Sequence, residues 1–213
     1  MNRLLVQVAP ELGEPGSGAA ARPRDRARKL IDDGKYQEAL ACLEASLSAP
    51  EAEDHHLSSI ALYCLGRTRE AFAANNQSYW AFRRSKMTPE RWPRLVNVLV
   101  NQSIWFLKAN RSRRAGLLIE YAIQVATRHD VLNHTLWANA CLVRARHMPS
   151  IDVSGVCKNI SHTLREAKTV LSSETFSELM KYIVTDHDLD WVEIRRHIGP
   201  ARFFAMVSAL QEG

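Results

Sequence analysis

The scarcity of glycine constrains the fold of this chain more than any other feature. Between Arg67 and Ile198 only two glycines occur, Gly116 and Gly155. Apolar residues recur there at intervals of three and four positions, while β-branched alternation and hairpin dipeptides such as Asn-Gly are absent. The pattern therefore predicts an all-α fold.

Prolines separate the predicted helices. Pro50 ends one helix and begins the next, with Ser48 and Glu51 spaced as a capping box. Thr88 precedes Pro89 as a further helix cap. The predicted helices span residues 24–33, 36–48, 54–65, 68–84, 90–109, 112–128, 131–147, 153–171, 174–185, 188–198 and 201–211.

A different composition precedes these helices. Residues 10–23 contain six glycines and prolines among small residues, which is typical of a flexible linker. We therefore expect residues 1–23 to form a flexible N-terminal segment and residues 24–213 to form one helical repeat domain. The chain is 46% hydrophobic and 24% charged, values that exclude global disorder.

An internal repeat accompanies the even helix spacing. Residues 34–40 (Gly-Lys-Tyr-Gln-Glu-Ala-Leu) align with residues 66–72 (Gly-Arg-Thr-Arg-Glu-Ala-Phe), and residues 110–115 (Asn-Arg-Ser-Arg-Arg-Ala) form a third copy. In each copy a Gly or Asn can adopt the left-handed conformation and reverse the chain. The alanine five positions later lets the second helix approach the first closely. The sequence thus predicts helix hairpins that must stack to bury their remaining apolar faces.

One of these copies resembles a known repeat family. Residues 34–43 (Gly-x-Tyr-x-x-Ala-x-x-x-Leu), closed by Pro50, are similar to the turn and second helix of the tetratricopeptide repeat. The resemblance covers residues 24–128, although Asn75 replaces the expected leucine and the later copies lack the aromatic residue. It implies stacked antiparallel helix hairpins, a TPR-like α-solenoid with degenerate C-terminal helices. An unrelated helical bundle is the alternative.

The net charge of +5 is concentrated in the middle of the chain. Residues 83–150 hold 12 Lys or Arg against 3 Asp or Glu, whereas residues 1–50, 51–82 and 151–213 sum to 0, −2 and −2. An excess confined to one segment indicates a local contact surface rather than a generally basic protein. We therefore predict that residues 83–146 contact an acidic partner.

Within this segment, the helix predicted at 90–109 carries a polar stripe, formed by residues that recur every three or four positions. They are Arg94, Asn97, Asn101, Trp105 and Lys108. Asn side chains can donate to and accept from a peptide backbone, and Arg or Lys can pair with a carboxylate. The resemblance implies that first helices line a peptide-binding groove, and this stripe would lie there. The predicted partner-binding residues, including the basic run of the third copy, are Arg94, Asn97, Asn101, Trp105, Lys108, Arg111, Arg113 and Arg114. A plain polar face is the alternative.

Aromatic residues alternate with the basic ones in the same region. They are Tyr79, Trp80, Phe82, Trp92, Trp105 and Phe106. Such a pattern can bind single-stranded nucleic acid through phosphate pairing and base stacking. No recognised nucleic-acid motif accompanies it, and aromatic residues at helical spacing more often pack between helices. Nucleic-acid binding is therefore the second prediction.

Signatures of other functional classes are missing from the sequence. Nucleotide-binding glycine motifs and the G-x-S-x-G motif are absent, so we expect no enzymatic activity and no cofactor. His129 and His134 are five positions apart and do not share a helix face, and the acidic run at 186–190 lacks the glycine and distal glutamate of a calcium loop. We therefore expect no metal site.

Cysteine usage and hydropathy indicate the cellular compartment. None of the four cysteines forms a C-x-x-C pair, so free thiols in a reducing environment are expected. No uncharged stretch approaches the ~20 apolar residues of a membrane span, and the apolar run in residues 1–9 is too short for a signal peptide. The sequence predicts a cytoplasmic protein that does not bind membranes.

Together these patterns predict a non-enzymatic protein–protein interaction module that acts as an adaptor, regulator or chaperone. Its partner would be an acidic peptide or protein bound by residues 83–146. A basic helical nucleic-acid-binding protein is the alternative. The last helix, 201–211, is apolar on one side and is predicted either to cap the stack or to form a homodimer contact.

Overall fold

The chain is helical throughout the residues that the structure describes. The computed structural model describes residues 23–46, 51–146, 152–185 and 189–212. Within these ranges there are eleven α-helices and one short 3₁₀ helix, Pro89–Arg91, and no β-strand. The α-helices are α1 Pro23–Asp32, α2 Tyr36–Ser46, α3 Ala52–Cys64, α4 Thr68–Arg84, α5 Trp92–Lys108, α6 Ser112–Arg128, α7 His134–Arg146, α8 Val153–Val170, α9 Ser173–Thr185, α10 Leu189–Ile198 and α11 Pro200–Glu212. The predicted all-α class is confirmed.

The helix starts agree with the predicted ones to within two residues, except for α7. This helix begins at His134 instead of 131. Asp130 adopts a left-handed φ of 54°, and Asn133 Oδ1 accepts a hydrogen bond from the Leu136 amide at 2.8 Å. A left-handed turn followed by a capping Asn therefore delays the helix. The capping box predicted before α3 consists of Ser48 and Glu51, and Ser48 lies outside the described residues.

The three repeat copies share one turn geometry. Their left-handed residues are Gly34, Gly66 and Asn110, with φ of 76°, 78° and 57°. In each turn the amide of the next residue donates to the carbonyl five residues back, at 2.7, 2.9 and 2.8 Å, which is the bond that closes a Schellman motif. The alanines five positions after the turn residues, Ala39, Ala71 and Ala115, are fully buried. The left-handed conformation predicted for Asn110 is confirmed.

The chain divides into two compact units, residues 1–98 and residues 99–213, and the boundary falls within α5. The sequence had predicted one domain over residues 24–213. In the first unit α1, α2 and α3 pack against one another, and α3 also packs against α4.

Polar residues interrupt the core of the first unit. Asn75 is fully buried where the first repeat copy has Leu43, and its Nδ2 donates to the Val98 carbonyl at 3.1 Å. Ser78 Oγ, also buried, donates to the Ala52 carbonyl at 2.6 Å. Both buried polar side chains are thus satisfied by hydrogen bonds to backbone carbonyls.

The second unit is built around α7. This helix packs against α6, α8 and α9, and its residues 136–143 are all buried. α8 in turn packs against α9, α10 and α11. The apolar side of α11 is covered within the unit, since Phe203, Val207 and Leu210 are buried, whereas Phe204 is 45% exposed.

Candidate partner-binding site

The predicted stripe on α5 is not exposed along its whole length. Asn101 and Trp105, two of the predicted partner-binding residues, are only 6% and 1% exposed and lie inside the fold. The reason is that α5 is buried on most of its circumference. Residues on every side of it are at most 5% exposed, namely Leu95, Val96, Val98, Leu99, Val100, Ser103 and Ile104. Asn97 is half-buried.

Arg94 is an ion-pair partner inside the first unit. Its Nη1 hydrogen-bonds Oε2 of Glu53, a glutamate whose side chain is only 7% exposed. Arg28 from α1 hydrogen-bonds the other carboxylate oxygen of Glu53. Arg94 therefore neutralises a buried acid, a role for which a partner is not needed.

The neighbouring acid at the start of α3 is held in a similar way. Arg24 donates from Nε and Nη2 to the two carboxylate oxygens of Asp54, at 2.8 and 3.0 Å. The Glu51 amide donates to Asp54 Oδ2 at 2.8 Å. Burial alone would raise the pKa of Asp54, but these hydrogen bonds hold it below its usual range.

A cavity of about 240 Å³ lies beside this buried acid pair. Its charged lining consists of Arg24, Glu51, Glu53, Arg91 and Arg94, and the charged groups largely satisfy one another. Arg91 donates to the Lys86 carbonyl at 3.2 Å, and no ion pair joins it to a described residue. Of the three cations that line the cavity, Arg24 and Arg94 are compensated within the fold.

Three cations of the second unit are neutralised as well. Asp190 on α10 pairs with Lys108 at 3.4 Å and with Arg146 at 2.8 Å, and Arg146 also pairs with Glu193 at 2.9 Å. Arg144 is paired from two sides, as described below. Lys108 and Arg146 thus form ion pairs with acids that are distant in sequence, and these pairs hold helices of the second unit together.

Arg144 is the central member of an ion network in the second unit. It donates from Nε and Nη2 to both oxygens of Glu120 on α6, each at 2.8 Å, and from Nη1 to Glu166 on α8 at 2.6 Å. Burial alone would lower the pKa of Arg144, but its hydrogen bonds to the two carboxylates raise it above the usual range. Asn159 Nδ2 donates to the Arg144 carbonyl at 3.0 Å. The network joins α6, α7 and α8.

The remaining predicted residues, Arg111, Arg113 and Arg114, are exposed at the beginning of α6. None of them forms an ion pair with a described residue, although the Arg114 guanidinium lies 5.8 Å from the Phe106 ring centroid. The first turn of α6 contains no acidic residue. Since the N-terminus of a helix carries partial positive charge, three cations there oppose the helix dipole.

A second basic group in the sequence has a structural explanation. Arg83 and Arg84 lie in the last turn of α4, where cations favour the negative end of the helix dipole. Of the two basic groups, only the one at the start of α6 lies at the end of a helix whose dipole repels positive charge. A local cost of this kind is typical of a functional surface.

A surface hollow of about 300 Å³ adjoins these arginines. It lies between α6 and α7 and is lined by Arg113, Gly116, Leu117, Glu120, Val143 and Arg144. Leu117 is 66% exposed, the highest value among the exposed large apolar side chains of the described residues. Sequence reasoning missed this hollow, although the signal was present. Leu117 lies off the buried stripe that contains Ala115, Ile119 and Ala122.

Most of the interleaved aromatic residues are not available as a stacking surface. Phe82 and Trp105 are buried, and Tyr79, Trp92 and Phe106 are partly buried. Trp80, 48% exposed, is the most accessible of the set. The aromatic side chains therefore pack mainly inside the fold.

Features of other site classes are not found in the described part of the chain. Among those residues no group of three or more His, Cys, Asp or Glu could hold a metal ion, and no helix is long and apolar enough to cross a bilayer. Cys42, Cys64, Cys141 and Cys157 are free thiols, of which Cys141 is buried and the other three are partly exposed. No family model, curated protein or solved structure matches this chain.

Proposed function

We propose that this chain is a non-enzymatic protein–protein interaction module that binds an acidic peptide or protein segment at the start of α6. The observation that carries the proposal is the exposed group of Arg111, Arg113 and Arg114, which lacks ion pairs with described residues and opposes the helix dipole. A carboxylate partner would relieve this unfavourable placement, since it can pair with the guanidinium groups. The module acts as an adaptor, regulator or chaperone.

The fold that we propose for this role is a TPR-like stack of antiparallel helix hairpins. Three left-handed turns with the same closing hydrogen bond, each followed five positions later by a fully buried alanine, support it. Repeats of this kind present extended surfaces on which partners bind. The free cysteines suit a reducing compartment, and we place the module in the cytoplasm.

Protein binding accounts for the basic segment better than nucleic-acid binding. Arg94, Lys108, Arg144 and Arg146 are paired with carboxylates inside the fold, so these four of the twelve cations in residues 83–150 are less available to a phosphate backbone. The aromatic residues that could have stacked on bases are mostly buried. Nucleic-acid binding remains the alternative, and the experiment must distinguish it from protein binding.

Fluorescence anisotropy with a labelled acidic peptide and, in parallel, a labelled single-stranded oligonucleotide tests the proposal. The double variant Arg113→Glu/Arg114→Glu should lose peptide binding at least tenfold. The matched control is Arg128→Glu at the other end of α6, about 22 Å away by helix rise, which should retain it. Oligonucleotide binding with a steep salt dependence, and no peptide binding, would establish the alternative instead.

A further inference from the structure

The hollow beside Arg113 combines two features that a helix surface normally avoids. Gly116 lies inside α6, where glycine is less favourable than alanine. Leu117 next to it exposes 66% of its surface to solvent. Neither feature favours the isolated fold, and both line the same hollow as Arg113.

The polar part of the hollow is fixed and already satisfied. Glu120 accepts two hydrogen bonds from Arg144 at 2.8 Å each, and Arg144 is also anchored to Glu166. Val143 on α7 contributes to the lining but is 0% exposed, so the accessible apolar part of the lining belongs to Gly116 and Leu117 on α6. Arg113 is the lining cation without an ion pair to a described residue. An occupant therefore meets the exposed Leu117 side chain next to one available positive charge.

The size of the hollow limits what can fill it. A volume of about 300 Å³ is at the lower end of the range for small-molecule pockets, and it suits one bulky side chain together with solvent. Protein interfaces commonly place an aromatic or large aliphatic anchor in such a pocket, surrounded by polar contacts.

We infer that this hollow receives a single bulky apolar side chain from the partner, within a segment whose acidic residues pair with Arg113 and its neighbours. The inference rests on the proposed function and specifies its partner: an acidic segment with one aromatic or large aliphatic anchor. Charge complementarity selects this occupant, because a purely apolar segment would leave the arginines at the start of α6 without partners.

Two labelled peptides separate the contribution of the anchor from that of the charge. Both consist of Asp and Glu around one central position, which is Phe in the first and Ala in the second. The Phe peptide should bind the wild-type protein about tenfold more tightly, the effect of burying one large apolar side chain. Leu117→Ala should abolish this difference and leave the affinity for the Ala peptide unchanged. Leu65→Ala, a matched change at another exposed leucine, should preserve it.

The possible failures are distinguishable. Equal binding of the two peptides to the wild-type protein, with binding still lost in Arg113→Glu/Arg114→Glu, would overturn the anchor and leave the proposed function intact. Absence of binding by either peptide would overturn the proposed function itself. Concentration-dependent dimerisation that disappears in Leu117→Ala, measured by light scattering, would show that a second copy fills the hollow and would also overturn the inference.

Discussion

The Arg24 guanidinium donates two parallel hydrogen bonds to the Asp54 carboxylate, which is 2% exposed. This pair joins the beginning of α1 to the start of α3, across 30 residues of sequence. Because the carboxylate is buried, the loss of Arg24 would leave the Asp54 charge without this partner, whereas Arg24 also pairs with Glu51 and Glu53. The pair therefore links the stability of the first unit to pH.

Asp54→Asn should destabilise the first unit by about 2 kcal/mol, the cost of losing charge-assisted hydrogen bonds, because Arg24 keeps its contacts with Glu51 and Glu53. The pKa of Asp54 is lower in the folded chain than in the unfolded one. Its stabilisation is therefore fully present above the unfolded value of about 3.9 and is lost as the pH falls through the folded value. Urea unfolding from pH 3 to pH 7 measures both effects. Glu70→Gln, which breaks the exposed pair with Arg67, should change stability little, and an equal loss there would contradict the assignment.

His56 should make stability depend on pH in a higher window. Burial lowers its pKa to about 4 from an unfolded value near 6.5, although a hydrogen bond with Asn75 acts in the opposite direction. Between these values the unfolded chain binds more protons than the folded one, so stability falls as the pH drops from 6.5 to 4, by about 3 kcal/mol in total. In His56→Gln this slope should flatten in urea unfolding curves. The exposed His162→Gln should keep it, and an unchanged slope in His56→Gln would refute the prediction.

Gly34→Ala should destabilise the chain by about 1 kcal/mol. The residue has a φ of 76°, which is strained for any residue with a β-carbon, even though there is open space around it. Gly34→Asn should lose less, because Asn tolerates the left-handed conformation and already occupies the equivalent turn at Asn110. Thermal unfolding of the two variants provides the comparison. Equal losses would mean that conformational strain is not the cause.

Charge reversal at the two ends of α6 should change stability in opposite directions. Arg113→Glu replaces a cation at the positive end of the helix dipole and should stabilise the fold by about 0.5 kcal/mol. Arg128→Glu places an acid in the last turn and should destabilise it by a similar amount. Chemical unfolding of both variants measures the effect without any partner. A loss of stability in Arg113→Glu would mean that the arginine supports the fold and would remove the main argument for a binding surface.

Local patterns in the sequence were sufficient to predict the helices and their turns. The chain reversals are predictable because a residue that can adopt the left-handed conformation interrupts the apolar period of 3.6. These residues are Gly34, Gly66 and Asn110. The start of α7 was placed too early because Val131 and Leu132 continue that period, while the cap formed by Asn133 is decided by hydrogen bonding. Hydrophobic periodicity thus predicts where the helices lie, whereas the exact residue at which a helix begins depends on the hydrogen bonds of individual capping side chains.

The candidate site was only partly predictable, because ion pairs distant in sequence decide which cations are available. Arg94 pairs with Glu53 at a separation of 41 residues, and Arg146 pairs with Glu193 at a separation of 47. A count of charge along the chain cannot reveal such compensation. Nor can the spacing of Trp105 show that it is buried, since polar and apolar stripes of α5 are both covered. The arginines at the start of α6 are exposed, and their role in partner binding stays a prediction, whereas the hollow beside them depends on Val143 and Arg144 from another helix.

The network around Arg144 also bears on how the second unit opens. Its side chain bonds Glu120 on α6 and Glu166 on α8, and its carbonyl accepts from Asn159, so no one of these helices can separate without breaking charged contacts of the others. Amide protons in α6, α7 and α8 should therefore exchange with solvent deuterium in a single cooperative step. A partner bound at Arg113 would then slow exchange well beyond its own footprint, as far as the amides of α8.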